Sequence, residues 1–283
     1  MRLYKYLHPD RIDVLRNGTI RFSSPKILND PFELKPHISA ITSKEDIHSD
    51  FEAKFPNILA EEYAKLPEQF RRHIPLDLFQ KLARSQLPQL KAQFQEFSEM
   101  ATPMLQRVIS EKLEENIGIL CLTESPDNLL MWSHYADSHQ GFVIEFDTTV
   151  PFFDQRKSPE DELRHLRKVI YQERRPSLIL SEVENFSSLL TKSVDWSYET
   201  EWRMMLPLFS ASRIIGDGAT AIHLYEFPRS AIRAIIFGCR MPKAEVDKIR
   251  QILHRANDFN DVLCLQVQID ETHYRLNFAE VRD

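Results

Sequence analysis

The chain has 283 residues, of which 42% are hydrophobic and 28% charged, as is ordinary for a globular protein with a sizeable core. The net charge of −6 gives no indication of a general affinity for nucleic acid or for an anionic membrane. The N-terminus has no apolar signal core, and no stretch approaches membrane-spanning length. Cys121, Cys239 and Cys264 lie in apolar runs without metal or redox spacing. A cytoplasmic protein with buried, reduced thiols is therefore expected.

The N-terminal region predicts two short strands, over residues 3–7 and 20–23, around a helix that Asn17-Gly18 would end. A turn follows at residues 29–33, because the residue before a proline is kept out of the helical region. Two interpretations are open for this turn. It is a rigid connection with Phe32 in the core, or it presents the side chains of Asn29, Asp30 and Glu33 to a ligand.

Residues 44–117 differ in composition from the rest of the chain. They contain no glycine, are rich in Lys, Glu, Gln, Leu and Phe, and are punctuated by five prolines. Prolines favour the starts of helices, so several helices are predicted, with Thr102-Pro103 beginning the last of them. We interpret the segment as a helical insertion or lid within a single α+β domain that spans residues 1–283.

The remainder of the chain predicts strands interleaved with helices. Helices are expected over 177–190 and 242–256. Strands are expected over 119–123, 141–147, 169–172, 199–206, 222–225, 232–237, 262–269 and 274–281. No glycine-rich phosphate loop is present, which favours an α+β fold with a mixed, mostly antiparallel sheet over a doubly wound fold.

The segment 199–206 carries a row of charged side chains. In an extended strand Glu199, Glu201 and Arg203 would share one face, opposite Trp202. This row is either a salt-bridged surface or a polar site. Because Trp196, Tyr198 and Trp202 surround it, and aromatic walls can raise the pKa of a carboxylate toward general-base use, the pattern favours a site.

A second polar cluster lies between the two central strands and contains Trp132, Ser133, His134, Tyr135 and His139. Three interpretations are open. The two histidines and the carboxylate of Glu145 could hold a metal, although His-x4-His matches no strong motif. The histidines could instead bond neighbouring loops. Alternatively, His134 and Tyr135 contact a ligand without metal.

The ordered motifs resemble the bacterial family known as domain of unknown function 2971. The motifs are Tyr4-Lys5-Tyr6, Arg21-Phe22-Ser23-Ser24-Pro25, Asn29-Asp30-Pro31-Phe32-Glu33, Cys121-Leu122-Thr123, Met131-Trp132-Ser133-His134-Tyr135, His139-Gln140-Gly141-Phe142 and Trp196-Ser197-Tyr198-Glu199-Thr200-Glu201-Trp202-Arg203. They occur in order along the whole chain outside 44–117. The resemblance implies a family but no activity.

The chain is also similar to ADP-ribosyltransferases of the toxin and DNA-modifying type. The order would be Tyr4-Lys5-Tyr6 and Arg21 early, Ser133-His134-Tyr135 in the middle, and Glu199 or Glu201 late. This similarity implies that an aromatic ring stacks on nicotinamide and that an arginine holds the pyrophosphate. A carboxylate would stabilise the oxocarbenium-like ribose.

The leading hypothesis is thus NAD-dependent ADP-ribosyl transfer or NAD hydrolysis, with NAD as substrate and no identified cofactor. One alternative is a non-catalytic nucleotide- or partner-binding protein of a bacterial defence or toxin system. Another is a metal-dependent hydrolase or nuclease that uses Asp30, Glu33, His134 and His139. The candidate catalytic residues are Glu201, Glu199, His134 and Tyr135. The candidate ligand-binding residues are Tyr4, Lys5, Arg21, Ser23, Asn29, Asp30, Glu33, Trp132, Ser133, His139 and Arg203.

Overall fold

The computed structural model describes residues 1–255, 259 and 261–281. The chain divides into two compact units. The sheet unit comprises Met1–Lys35, Glu111–Arg175 and Asn185–Asp283, and the helical unit comprises Pro36–Ser110 and Pro176–Glu184. The expected helical insertion thus forms most of a separate compact unit, and its role as a lid stays a prediction.

Fifteen strands are found in the described part of the chain. In chain order they are β1 (Arg2–Leu7), β2 (Thr19–Phe22), β3 (His37–Ala40), β4 (Ile117–Thr123), β5 (Phe142–Asp147), β6 (Arg167–Lys168), β7 (Ile170–Gln172), β8 (Ser177–Ile179), β9 (Thr191–Ser193), β10 (Glu201–Pro207), β11 (Arg213–Ile215), β12 (Ile222–Glu226), β13 (Ile232–Phe237), β14 (Leu263–Ile269) and β15 (Leu276–Glu280).

Eight of these strands form the main sheet of the sheet unit, in the order β15-β14-β13-β5-β1-β4-β10-β6. Every neighbouring pair is antiparallel except β13 and β14, which run parallel. A smaller sheet has the order β11-β12-β2, and β7 pairs with β9. The predicted α+β class with a mixed, mostly antiparallel sheet is confirmed.

Alternation along the central strands produces two buried faces. Phe142, Ile144 and Phe146 point into one apolar cluster, whereas Val143 joins another on the opposite face. Helix α6 (Lys243–Arg255) covers the first face through Ile249 and other apolar residues. Helix α5 (Leu129–Tyr135) contributes the fully buried Trp132 to the second. Strand β1 is sandwiched between β5 and β4 in the centre of the sheet.

The first helix is short. Residues Pro9–Ile12 form a 3-10 turn, and α1 covers only Asp13–Asn17. It ends at Gly18, which has a φ of 64° and supplies the left-handed residue that terminates many helices.

The helical unit contains α2 (Lys44–Lys65), α3 (Glu68–His73) and most of α4 (Leu76–Asn116), together with the parallel pair β3–β8. α2 and α4 pack through aromatic pairs. The ring centroids of Phe51 and Phe94 are 5.9 Å apart, and those of Tyr63 and Phe79 are 5.4 Å apart. None of the helices in the described part of the chain has the length and apolar character needed to cross a bilayer.

The expectation that prolines mark the starts of helices is wrong for three of the five prolines. Pro56, Pro88 and Pro103 lie inside helices rather than at their starts, so no helix begins at Thr102-Pro103. Each interior proline removes one backbone hydrogen bond, and a 41-residue helix keeps the remainder.

The helix expected over 177–190 is also absent from the structure, which shows β8 followed by two 3-10 turns. The reason is that the segment is divided between units. Ile179 belongs to the helical unit, whereas Leu189 and Leu190 are buried in the sheet unit, so the apolar residues do not share one helical face.

Candidate functional site

A cavity of about 500 Å³ lies in the sheet unit against β1, β2, β4 and α5. Most of the predicted site residues line it: Tyr4, Lys5, Arg21, Ser23, Asn29, Glu33, Ser133, His134, Tyr135, Glu199 and Glu201. Segments that are more than a hundred residues apart in sequence therefore meet around one space. We call it the main cavity.

Four predicted residues do not line the main cavity. The Asp30 carboxylate caps its own turn, accepting a hydrogen bond from Phe32 N at 2.9 Å. Trp132 is fully buried, and its indole N–H donates to the Pro126 carbonyl at 2.8 Å. His139 lines a different cavity, and Arg203 lies buried behind Glu201.

Arg203 holds two carboxylates of the site in place. Its Nε and Nη2 donate to Glu201 at 2.8 and 2.9 Å. Its Nη1 and Nη2 also donate to the two oxygens of Glu33, Nη2 at 2.9 Å. All three side chains are almost fully buried. A guanidinium that binds one carboxylate through two donors fixes its orientation as well as its charge, so this cluster is a rigid support for the cavity wall.

Lys192 extends the cluster toward the cavity and was not identified from the sequence. Its Nζ donates to Glu199 at 2.5 Å and to Glu201 at 3.1 Å, and it lies 4.8 Å from the ring centroid of Trp196. The pairing of β9 with β7 places it there. The sequence offered one signal for Lys192. This lysine lies seven residues before Glu199 and just before the aromatic residues Trp196 and Tyr198.

Glu199 lines the cavity and accepts hydrogen bonds from two other side chains that line it. Tyr135 Oη donates to its Oε1 at 2.5 Å, while Lys192 donates to its Oε2. Its backbone is fixed by Thr123, whose hydroxyl donates to the Glu199 carbonyl at 2.5 Å. The side chain is therefore held in one orientation at the cavity wall.

Glu199 and Glu201, two of the carboxylates that line the cavity, differ in their acidity. Burial raises the pKa of Glu199, and the charge of Lys192 opposes this only in part. Burial acts in the same direction on Glu201, but the charges of Arg203 and Lys192 outweigh it and hold its pKa below the ordinary value. Two neighbouring carboxylates whose pKa values are pushed apart are a common feature of acid–base sites.

Two cations line another part of the main cavity. Lys5 Nζ donates to the Cys121 carbonyl at 2.8 Å, and burial lowers its pKa. Arg21 has a buried Nε without a hydrogen-bond partner in the described part of the chain. The pKa of Arg21 is lowered mainly by burial and secondly by the charge of Arg11. A buried donor without an acceptor costs free energy.

Strained backbone is concentrated around the main cavity. The non-glycine residues with positive φ in the described chain are Leu34, Asp137, Ser138, His139 and Thr200, with φ between 42° and 72°. Asp137 and Ser138 line the cavity, His139 follows them, Leu34 follows Glu33, and Thr200 separates Glu199 from Glu201. Each such residue costs about 1–3 kcal/mol and is typical of functional sites.

The predicted strand 199–206 begins two residues later than expected. Glu199 ends a 3-10 helix, and the left-handed Thr200 precedes β10. Trp202 does face away from Glu201 and Arg203, as predicted, and its indole N–H donates to Glu124. It therefore forms no wall of the site. Phe32 is 57% exposed, beneath Arg175, so the interpretation with this ring in the core is wrong.

The residues proposed for a metal site are not gathered together. Among residues 1–255, 259 and 261–281, no three potential ligands are grouped around one point. His134 lines the main cavity, whereas His139 lines a second cavity of about 460 Å³ with Cys239 and Arg240. Glu145 lies elsewhere and pairs with Arg2 at 3.0 Å.

The fold and the site are those of an α+β protein with a polar cavity that is supported by a buried ionic cluster. The model of one family, described as a protein of unknown function (DUF2971), matches residues 131–204. This match confirms the family resemblance over residues 131–204, which contain the Met131–Tyr135, His139–Phe142 and Trp196–Arg203 motifs. No curated protein and no solved structure matches the chain. The comparisons give no support to the resemblance to ADP-ribosyltransferases.

Proposed function

We propose that the main cavity binds a ribonucleotide, with NAD as the first candidate, and cleaves its N-glycosidic bond by hydrolysis or ADP-ribosyl transfer. The observation that carries the proposal is Glu199. Its carboxylate is fixed at the cavity wall by Tyr135 and Lys192, and the same cavity holds cations suited to phosphate.

The reaction needs one carboxylate beside the ribose. The bond between C1′ and the nicotinamide nitrogen breaks, and its electron pair leaves with nicotinamide. Glu199 stabilises the positive charge that develops on the ribose. Water then forms a bond to C1′ and transfers a proton to Glu199. Glu199 releases this proton to solvent, so that the products are ADP-ribose, nicotinamide and one proton. In the transfer reaction an acceptor nucleophile takes the place of water.

The phosphates are assigned to the cationic part of the cavity. Arg21 offers a buried donor without an acceptor, and Lys5 lies close enough for its pKa to respond to Arg21 and Glu201. A pyrophosphate there would accept charge-assisted hydrogen bonds. Tyr4, Tyr6 and His134 also line the cavity and provide flat surfaces for a base.

A specific observation supports a second candidate, a non-catalytic nucleotide-binding protein. Both oxygens of Glu199 already accept hydrogen bonds, one from Tyr135 and one from Lys192. Both oxygens of Glu201 are likewise bonded to Arg203. If these bonds persist with ligand bound, the carboxylates shape the cavity without entering the reaction.

Nicotinamide release and NAD binding by the purified full chain distinguish these functions. Release of nicotinamide in proportion to enzyme supports the proposed reaction. Binding without release, seen as thermal stabilisation of about 2.7 kcal/mol at a hundred times the dissociation constant, supports the non-catalytic protein. Absence of both results excludes NAD as the ligand.

Substitution of Arg21 tests the phosphate assignment. Arg21→Gln is expected to weaken NAD binding roughly ten- to hundredfold, because a hydrogen bond to a charged group contributes about 1.5–3 kcal/mol. Arg213→Gln is the matched control, since Arg213 is exposed on β11. Nicotinamide riboside lacks the phosphates, so its binding should be unchanged in both variants. Equal weakening of NAD and the riboside by Arg21→Gln would contradict the assignment.

A further inference from the structure

The second half of α4 exposes a row of large apolar side chains. Their exposed fractions are 40% for Leu90 and Val108, 43% for Phe94, 60% for Phe97 and 72% for Met104. We call these residues, with the half-buried Ala101, the α4 stripe. All of them belong to the helical unit.

The spacing of the α4 stripe is that of a coiled-coil seam. From residue 90 to residue 108 its members follow one another at alternating intervals of four and three. This heptad spacing, of about 3.5 residues per turn, keeps a seam facing a second helix. Pro88 and Pro103 are exposed and occupy heptad positions outside the seam.

Contacts with α2 cover only one flank of the stripe. Leu87, Ser98 and Thr102 are the buried residues of α4. Lys91 Nζ donates to Glu52 at 2.9 Å, and Phe94 contacts Phe51. The apolar surface that α2 leaves uncovered extends along about 27 Å of helix. It amounts to on the order of 600 Å² of apolar surface, the upper end for a monomer.

We propose that a second copy of this chain covers the α4 stripe, with the two α4 helices antiparallel about a two-fold axis near residue 99. This arrangement places Phe97 against the second copy's Ala101, Phe94 against Met104, and Leu90 against Val108. The large ring of Phe97 thereby meets the smallest side chain of the stripe. A parallel pairing would instead place Phe97 against Phe97 and leave a gap between the two alanines.

The charged residues that flank the stripe are compatible with this pairing. The antiparallel arrangement brings Lys91 near Leu105, and Arg107 near Gln93, of the second copy. Met100, 73% exposed, falls next to the second copy's Met100 at the axis. Between residues 90 and 108 no like charges are placed opposite one another, so the positions that flank the stripe do not oppose association. A two-fold contact of this kind is the commonest route to a homodimer.

Sedimentation equilibrium of the full chain tests the proposal. The wild-type protein is expected at twice its mass of 33.3 kDa at micromolar concentration, and Phe97→Glu is expected to be monomeric. Phe209→Glu is the matched control, because Phe209 is 79% exposed in the sheet unit, and it should remain dimeric. Circular dichroism verifies that both variants are folded. A monomeric wild type, or a dimer that Phe97→Glu leaves intact, would overturn the proposal.

Cysteine cross-linking tests the orientation of the helices. Met100→Cys is expected to cross-link to itself, since the axis brings the two positions together. Met104→Cys alone should not, because its own position on the other chain is ten residues, about 15 Å, further along, whereas a disulfide requires Cα atoms within about 7 Å. The wild type under the same oxidation controls for native cysteines. Cross-linking of Met104→Cys without that of Met100→Cys would overturn the antiparallel register.

Discussion

Arg203→Met is expected to lower the free energy of unfolding by about 3–5 kcal/mol, the usual cost of removing one partner from a buried ion pair. Arg203 is fully buried and donates to both Glu33 and Glu201. Methionine fills much of the same volume but offers no donor, so two carboxylates would lose their main partner away from water. Lys192 still contacts Glu201. In the described part of the chain, by contrast, no second cation forms an ion pair with Glu33.

The loss of stability should depend on pH. In the wild type the charges of Arg203 and Lys192 keep the pKa of Glu201 below its ordinary value of 4.5, so this group stabilises the fold above that pH. Without Arg203, burial favours the protonated acid, and the variant regains stability as the pH falls. The difference between wild type and variant should therefore be largest at neutral pH. It should begin to shrink above pH 4.5, as the pH falls through the raised pKa of Glu201 in the variant, and should shrink further below pH 4.5, where the wild type loses the contribution of Glu201.

Urea unfolding at several pH values measures this effect. Arg167→Met is the matched control on the neighbouring strand, because Arg167 pairs with Glu162 at 2.8 Å while both side chains are partly exposed. That pair should contribute no more than about 1 kcal/mol. Similar losses in the two variants, or a loss at Arg203 that does not change with pH, would argue against a buried ionic support.

Local sequence patterns were sufficient to predict much of the sheet and part of the site. Alternation placed Glu201 and Arg203 on one face, and the structure brings them onto the same buried cluster. The same alternation is seen in β5, where Val143 lies on the face opposite Phe142 and Ile144. These inferences succeeded because the period of a strand is fixed by its backbone.

Contacts that depend on distant pairing could not be read from the sequence. Lys192 reaches the site because β9 pairs with β7, and nothing next to it in the chain indicates that pairing. Glu199 joins Glu201 although it lies outside the strand, because Thr200 adopts a left-handed conformation that its residue type does not require. The prolines of α4 misled the prediction because local propensity is overridden in a long helix.

Glu199→Gln is expected to reduce kcat for nicotinamide release by at least about 10²-fold, the lower end for a group that transfers a proton in catalysis. The change keeps the shape of the side chain, and the amide oxygen can still accept a hydrogen bond from Tyr135 or Lys192. NAD binding and the free energy of unfolding should therefore change little. The matched control is Glu226→Gln, an identical change at an exposed position of β12.

The pH profile separates a catalytic role of Glu199 from a structural one. Because the carboxylate must be ionised to stabilise the ribose cation, activity should fall as the pH drops through its pKa, which burial raises above 4.5. Lys192→Met removes the cation that opposes this rise, so the acid limb of kcat/KM should move to higher pH while Glu226→Gln leaves it in place. If Glu199→Gln retains full kcat with an unchanged acid limb, the carboxylate only shapes the cavity, and the non-catalytic function becomes the better explanation.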